Sequence, residues 1–87
     1  MIPIVKRIVS FGPDYGLTPQ LSAKLVSLAE SFDSAIALEY EGRSIRLDSL
    51  IGLISVEYHK GDEIVLTSVG SDEEAAADAA CALLSEP

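Results

Sequence analysis

Hydrophobic positions recur along the chain with a spacing that switches repeatedly between two residues and three to four. Ile4 to Phe11 is rich in Ile and Val and reads as a strand, with Pro3 at its start where a missing N–H is harmless. Gly12-Pro13-Asp14 break the strand and lead through Tyr15-Gly16 to Thr18. Leu17, Leu21, Leu25, Leu28, Ala29 and Phe32 then follow helical spacing, while Gln20, Lys24, Ser27 and Ser31 take the opposite face. Asp33-Ser34 ends this amphipathic helix. Ile36, Leu38 and Tyr40 alternate with smaller or charged residues, Glu41-Gly42 supplies a tight turn, and Ile45 and Leu47 alternate on the return, which together predict a hairpin.

Asp48-Ser49 caps a short helical segment, Leu50 to about Val56, whose apolar face of Leu50, Ile51, Leu53 and Ile54 exceeds what so short a helix usually buries. Tyr58 to Asp62 reads as a turn, and Glu63 to Val69 alternates as a last strand. Ser71-Asp72-Glu73-Glu74 has the form of a capping box, with Ser71 at the cap and Glu74 at the third helical position. The closing helix, Ala75 to Leu84, is expected to bury Ala76, Ala79, Ala80, Leu83 and Leu84. The order β-α-β-β-α-β-α predicts an α+β open-faced sandwich: a four-stranded antiparallel sheet with three helices on one face. No repeat, linker or low-complexity tail interrupts it, so residues 1–87 are expected to form a single domain.

Composition narrows the function. The hydrophobic share of 48% suffices for a folded core, but tryptophan is absent and aromatic residues are few, so no base-stacking platform is provided. Fourteen acids against six bases give a formal charge of −8, which disfavours phosphate backbones and anionic membranes and would steer basic partners. The expectation is no direct nucleic-acid partner and no membrane. The single Cys81 excludes an internal disulfide and fits a reducing compartment. Lys6 and Arg7 interrupt the N-terminal apolar run, which therefore lacks the form of a signal peptide, and the expected location is the cytoplasm.

Chemistry-bearing constellations are few. His59 is the only histidine and has no cysteine or second histidine at ligand spacing, so no metal or other cofactor is expected. A phosphate-cradling Gly-rich loop ending in Lys-Ser or Lys-Thr is missing. What remains is a pair of helix starts. At Thr18-Pro19, threonine is placed to cap and proline falls at the first helical position, where its fixed φ suits a helix. At Ser49 a second hydroxyl stands before a helix. Backbone N–H groups and the helix dipole at such ends favour anions.

Several runs between Gly16 and Leu84 carry a family likeness. They are Gly16-Leu17, Ala23-Lys24-Leu25-Val26, Ala29-Glu30-Ser31-Phe32, Ile36 to Gly42, Asp48-Ser49-Leu50-Ile51-Gly52-Leu53-Ile54-Ser55, Gly61, and Gly70-Ser71-Asp72-Glu73. The chain resembles HPr, the histidine-containing phosphocarrier of the bacterial phosphoenolpyruvate:sugar phosphotransferase system, whose element order agrees with the one predicted above. In that family the acceptor histidine follows the Gly-Leu pair, with an arginine and a proline soon after. The resemblance places Thr18 at the histidine, Gln20 at the arginine and Leu21 at the proline. Histidine titrates near neutrality and forms a labile phosphoramidate, whereas a threonine phosphate is a stable ester that would not be passed on. Gln20 lacks an arginine's charged, bidentate grip on phosphate.

The resemblance also implies a second site. The serine at the position of Ser49 is the substrate of HPr kinase/phosphorylase in Gram-positive bacteria, and the product acts as corepressor for a transcription factor. A paralogue, the catabolite repression HPr-like protein, lacks the histidine and keeps this serine, as this chain does. Asp48 departs from the family's common lysine. Ile51 and Ile54 fall where the family places large apolar residues that partners contact. The expectation is a non-enzymatic regulatory module of carbon catabolite control, binding protein partners through Thr18, Gln20, Leu21, Ser49, Ile51 and Ile54 and switched by phosphorylation of Ser49. The partners implied are HPr kinase/phosphorylase and a transcriptional regulator. The alternatives are a working phosphocarrier, or an α+β structural or small-ligand module that kept only the fold.

Overall fold

The computed structural model describes residues 4–14 and 16–86. Pro3 and Tyr15, which the sequence reading assigns to the strand start and the first loop, lie outside the described residues. The elements are β1 (Val5–Ser10), α1 (Pro19–Ser31), β2 (Ala35–Tyr40), β3 (Arg43–Arg46), α2 (Leu50–Ile54), β4 (Glu63–Val69) and α3 (Glu73–Ser85), in the predicted order. The four strands form an antiparallel sheet in the order β1-β4-β2-β3, so β1 and β3 are its edges.

Alternation decides which face is covered. Val9, Ile36, Leu38, Tyr40, Ile45, Ile64 and Leu66 point toward the helices and are buried there with Leu25, Leu53, Ala76, Ala77, Ala80 and Leu84. The expected hairpin forms, with Tyr40 opposite Arg43 across a two-residue turn. Both turn residues have positive φ, 50° at Glu41 and 78° at Gly42, the geometry of the turn that matches strand twist. Glycine takes that conformation freely; glutamate does so under strain.

The structure corrects three details. First, α2 stops at Ile54, because the chain must turn inward to bury Val56 partly and Tyr58 fully. Tyr58 is thus a core residue and no turn residue; its ring stacks on Phe11 with centroids 5.4 Å apart. Second, Ser71 caps nothing. Asp72 takes the cap position of α3, and its carboxylate makes no cap bond. It accepts instead from the Asp33 and Ser34 amides at 3.0 and 2.9 Å and from the Ser34 hydroxyl, thereby tying the α1–β2 turn to the start of α3. Third, Ala77 is buried in α3, where Ala79 and Leu83 are only half-buried, and in α1 the deepest residues are Ser22, Leu25 and Ala29. The small side chains of Ser22, Ala29 and Ala77 suit close packing of α1 and α3, a distinction that spacing alone does not make.

Candidate functional site

The loop after β1 delivers the chain to α1 through Gly16, whose φ of 75° suits glycine and whose Cα faces the Tyr58 carbonyl so closely that an added Cβ would lie 3.1 Å from it. Thr18 then caps α1 as its residue type predicts. Its backbone is extended (φ −71°, ψ 159°), and its Oγ1 accepts from the Leu21 N–H at 3.2 Å. Pro19 occupies the first turn, and the Ser22 N–H bonds to the Thr18 carbonyl at 2.9 Å. A cleft of about 380 Å³ opens here between the start of α1 and the end of α3, lined by Pro13, Thr18, Gln20, Leu21, Lys24 and Leu83 among others. Asp14 and Glu86 also line it, and among the described residues Lys24 is the one base that does.

Ser49 caps α2 in the same manner, its Oγ accepting from the Gly52 N–H at 3.2 Å. Beside it, Arg46 holds Asp48 in a two-pronged pair, Nε to Oδ1 at 3.1 Å and Nη2 to Oδ2 at 3.0 Å. The pair is solvent-exposed, so it stabilises little, yet it offsets the acid next to the Ser49 hydroxyl. The excess apolar surface predicted for α2 is real. Leu53 is fully buried, whereas Ile51 is 78% exposed, Ile54 48% and Leu50 43%.

A second cleft, of about 530 Å³, joins the two regions: Gly16 and Leu17 line one side, and Ile54, Ser55, His59 and Lys60 the other. The Lys60 ammonium bridges it to Asp14 at 2.7 Å. The structure thus brings the α1 loop and Ile54 together, while Ser49 lines neither cleft. His59 is exposed in its turn, fixed by its own N–H to Asp62 at 3.1 Å. Among the described residues no cluster of histidine, cysteine or acids could hold a metal, and no helix is long and apolar enough to cross a membrane. Cys81 is half-buried against the core, and burial pushes its thiol pKa up, away from reactivity.

Sequence reasoning missed Asp62, which anchors the turn bordering the second cleft. Its carboxylate accepts from the Tyr40 hydroxyl and the His59 amide, and its carbonyl from the Phe11 amide at 2.8 Å. The hydrogen bond to Asp62 raises the Tyr40 phenol to about 12, and burial does the same for Tyr58. No local pattern could have paired Tyr40 with Asp62, since the two meet only once β2 and β4 lie side by side.

Comparison with known proteins agrees with this architecture. The family model described as the PTS HPr component phosphorylation site matches residues 5–86. The structure of the phosphocarrier protein HPr from Bacillus anthracis is 30% identical, with a TM-score of 0.86 over 93% of this chain and 96% of that one. The solution structure of Crh, the Bacillus subtilis catabolite repression HPr, is 30% identical, with a TM-score of 0.70 over 95% of this chain and 99% of that one. A crystal structure of Bacillus subtilis Crh, a domain-swapped dimer, is also 30% identical, with a TM-score of 0.74 over 83% of both chains. With its element order, its capped α1 and α2 and a family match spanning nearly its whole length, the chain belongs to the HPr family of the phosphotransferase system.

Proposed function

We propose that this chain is a non-catalytic, cytoplasmic regulatory module of carbon catabolite control. In this reading it binds a protein partner through Thr18, Gln20, Leu21, Ser49, Ile51 and Ile54 and is switched by phosphorylation of Ser49. The observation that carries the reading is the exposed apolar surface of α2: Ile51 is 78% exposed two residues after Ser49 and earns no stability there. At α1, Thr18 offers a hydroxyl whose phosphate would be a stable ester, and the one histidine, His59, stands across the second cleft in the turn before β4. Ser49 is solvent-exposed, and its neighbour Asp48 is neutralised by Arg46, so an incoming phosphoryl group meets less repulsion than the sequence suggests. Transfer would form the bond from Ser49 Oγ to phosphorus, release ADP from ATP and free the hydroxyl proton.

The test is intact-mass measurement after incubation with ATP and an HPr kinase/phosphorylase. The wild type should gain one phosphoryl group and Ser49→Ala none. No gain in the wild type removes the switch. An acid-labile label acquired from phosphoenolpyruvate and Enzyme I would replace this reading with that of a working phosphocarrier.

A further inference from the structure

The turn that leads from β3 into α2 carries a base, an acid and a hydroxyl in close succession. The Ser49 N–H bonds to the Arg46 carbonyl at 3.1 Å, which closes a four-residue turn and sets the two Cα atoms within about 7 Å of each other. Asp48 stands between them and takes one edge of the Arg46 guanidinium, Nε to Oδ1 at 3.1 Å and Nη2 to Oδ2 at 3.0 Å. The end-on edge, Nη1 with the second Nη2 proton, makes no hydrogen bond among the described residues. Arg46 and Ser49 are both exposed. We infer, on the reading of Ser49 as the phosphosite, that Arg46 is the internal counter-ion of the phosphorylated serine. Its open edge takes two phosphoryl oxygens while its other edge keeps Asp48.

Charge and shape select this arrangement. A phosphoryl group on Ser49 brings a charge of about −1.5 to −2 and three acceptor oxygens next to a carboxylate. Of the six bases in the chain, only Arg46 stands within five positions of Ser49. Without it, the phosphate and Asp48 would be uncompensated neighbours of like charge. The planar fork of arginine pairs with carboxylate and phosphate alike through two parallel N–H bonds, so one side chain can serve both. Gly52 leaves room beside the acceptor, since a Cβ there would lie 2.9 Å from Ser49 Oγ. The phosphoryl group is thereby fixed to the end of β3, and the modified surface is ordered before a partner arrives.

The test is a phosphorus NMR titration of the full chain with phosphoserine installed in place of Ser49 during synthesis, so that no kinase is needed. The second pKa of a free phosphoserine is about 6. Arg46→Gln should raise the value found in the otherwise unsubstituted chain by about half a pH unit, as expected of an exposed ion pair. Arg46→Lys, which keeps the charge without the fork, should recover part of the difference. Arg43→Gln removes the same charge at the opposite end of β3 and should move the value much less. The Arg46 guanidinium N–H resonances should shift when the phosphoryl group is present. An equal rise in Arg46→Gln and Arg43→Gln, or Arg46 resonances unmoved by the phosphoryl group, overturns the counter-ion role while leaving Ser49 a phosphosite. A kinase that adds no phosphoryl group to the wild type instead removes the phosphosite, and the role of Arg46 with it.

Discussion

Single residues here act through what their side chains satisfy. Thr18 Oγ1 pairs an otherwise orphaned amide of α1, so Thr18→Ala should cost about 1 kcal/mol in a urea melt. Glu41 sits in the left-handed region at φ 50°, where asparagine is favoured; Glu41→Asn should raise stability by up to about 1 kcal/mol. Asp72 sets an acid limit. The Ser34 hydroxyl, with the Asp33 and Ser34 amides, holds its pKa below the ordinary 3.8 in the folded state. Its stabilisation is therefore complete above that ordinary value and is lost as pH falls through the lower, folded value. Asp72→Asn should lower the urea midpoint at pH 7, and the difference from wild type should shrink in acid.

At the scale of elements, α2 sets one sealed side chain beside exposed apolar ones within five residues. Leu53 is sealed into the core, so Leu53→Ala should cost about 2–5 kcal/mol. Ile51 lies on the same helix but faces solvent, and Ile51→Ala should change stability by no more than about 0.5 kcal/mol. If α2 is the partner surface, Ile51→Ala nevertheless weakens binding of the regulator by the Ser49-phosphorylated chain, which calorimetry reads directly. The Arg46–Asp48 pair beside it is an exposed link worth up to about 1 kcal/mol. If Ser49 is the phosphosite, Arg46→Gln should accordingly slow its phosphorylation by up to about five-fold in the kinase assay, with little effect on folding.

Over the whole molecule, the titrating groups that grip the fold define a pH window. Asp72 bounds it in acid. In alkali the bound is set by Tyr40, raised chiefly by its hydrogen bond to Asp62, and by Tyr58, raised by burial, both to about 12. For these phenols the neutral form is the one the fold favours. Their contribution is whole below the ordinary value of 10 and is lost as pH rises through about 12. Tyr40→Phe should lower stability at neutral pH, since it strips Asp62 of a donor, and should flatten the alkaline limb, since the titrating phenol is gone, whereas Tyr58→Phe removes a hydroxyl that has no hydrogen-bond partner among the described residues and should leave stability within about 1 kcal/mol.

By itself the sequence determined the architecture, because that information is local. The period-two alternation of Ile36, Leu38 and Tyr40, the helical recurrence of Leu21, Leu25 and Leu28, and the cap chemistry of Thr18 and Ser49 are all written within a few neighbouring residues. The excess of apolar residues on α2 was legible as well, since a helix read as Leu50 to about Val56 is still too short to bury four large side chains. Tertiary structure decided whatever depends on residues far apart in the chain. Asp72 looked like part of a local capping box and instead serves a turn thirty-eight residues away. Tyr58 looked like a turn residue and is drawn inward by Phe11, and Asp62 gains its partner only when β4 pairs with β2. A carboxylate takes the best donors within reach, and which donors are within reach is a property of the folded chain.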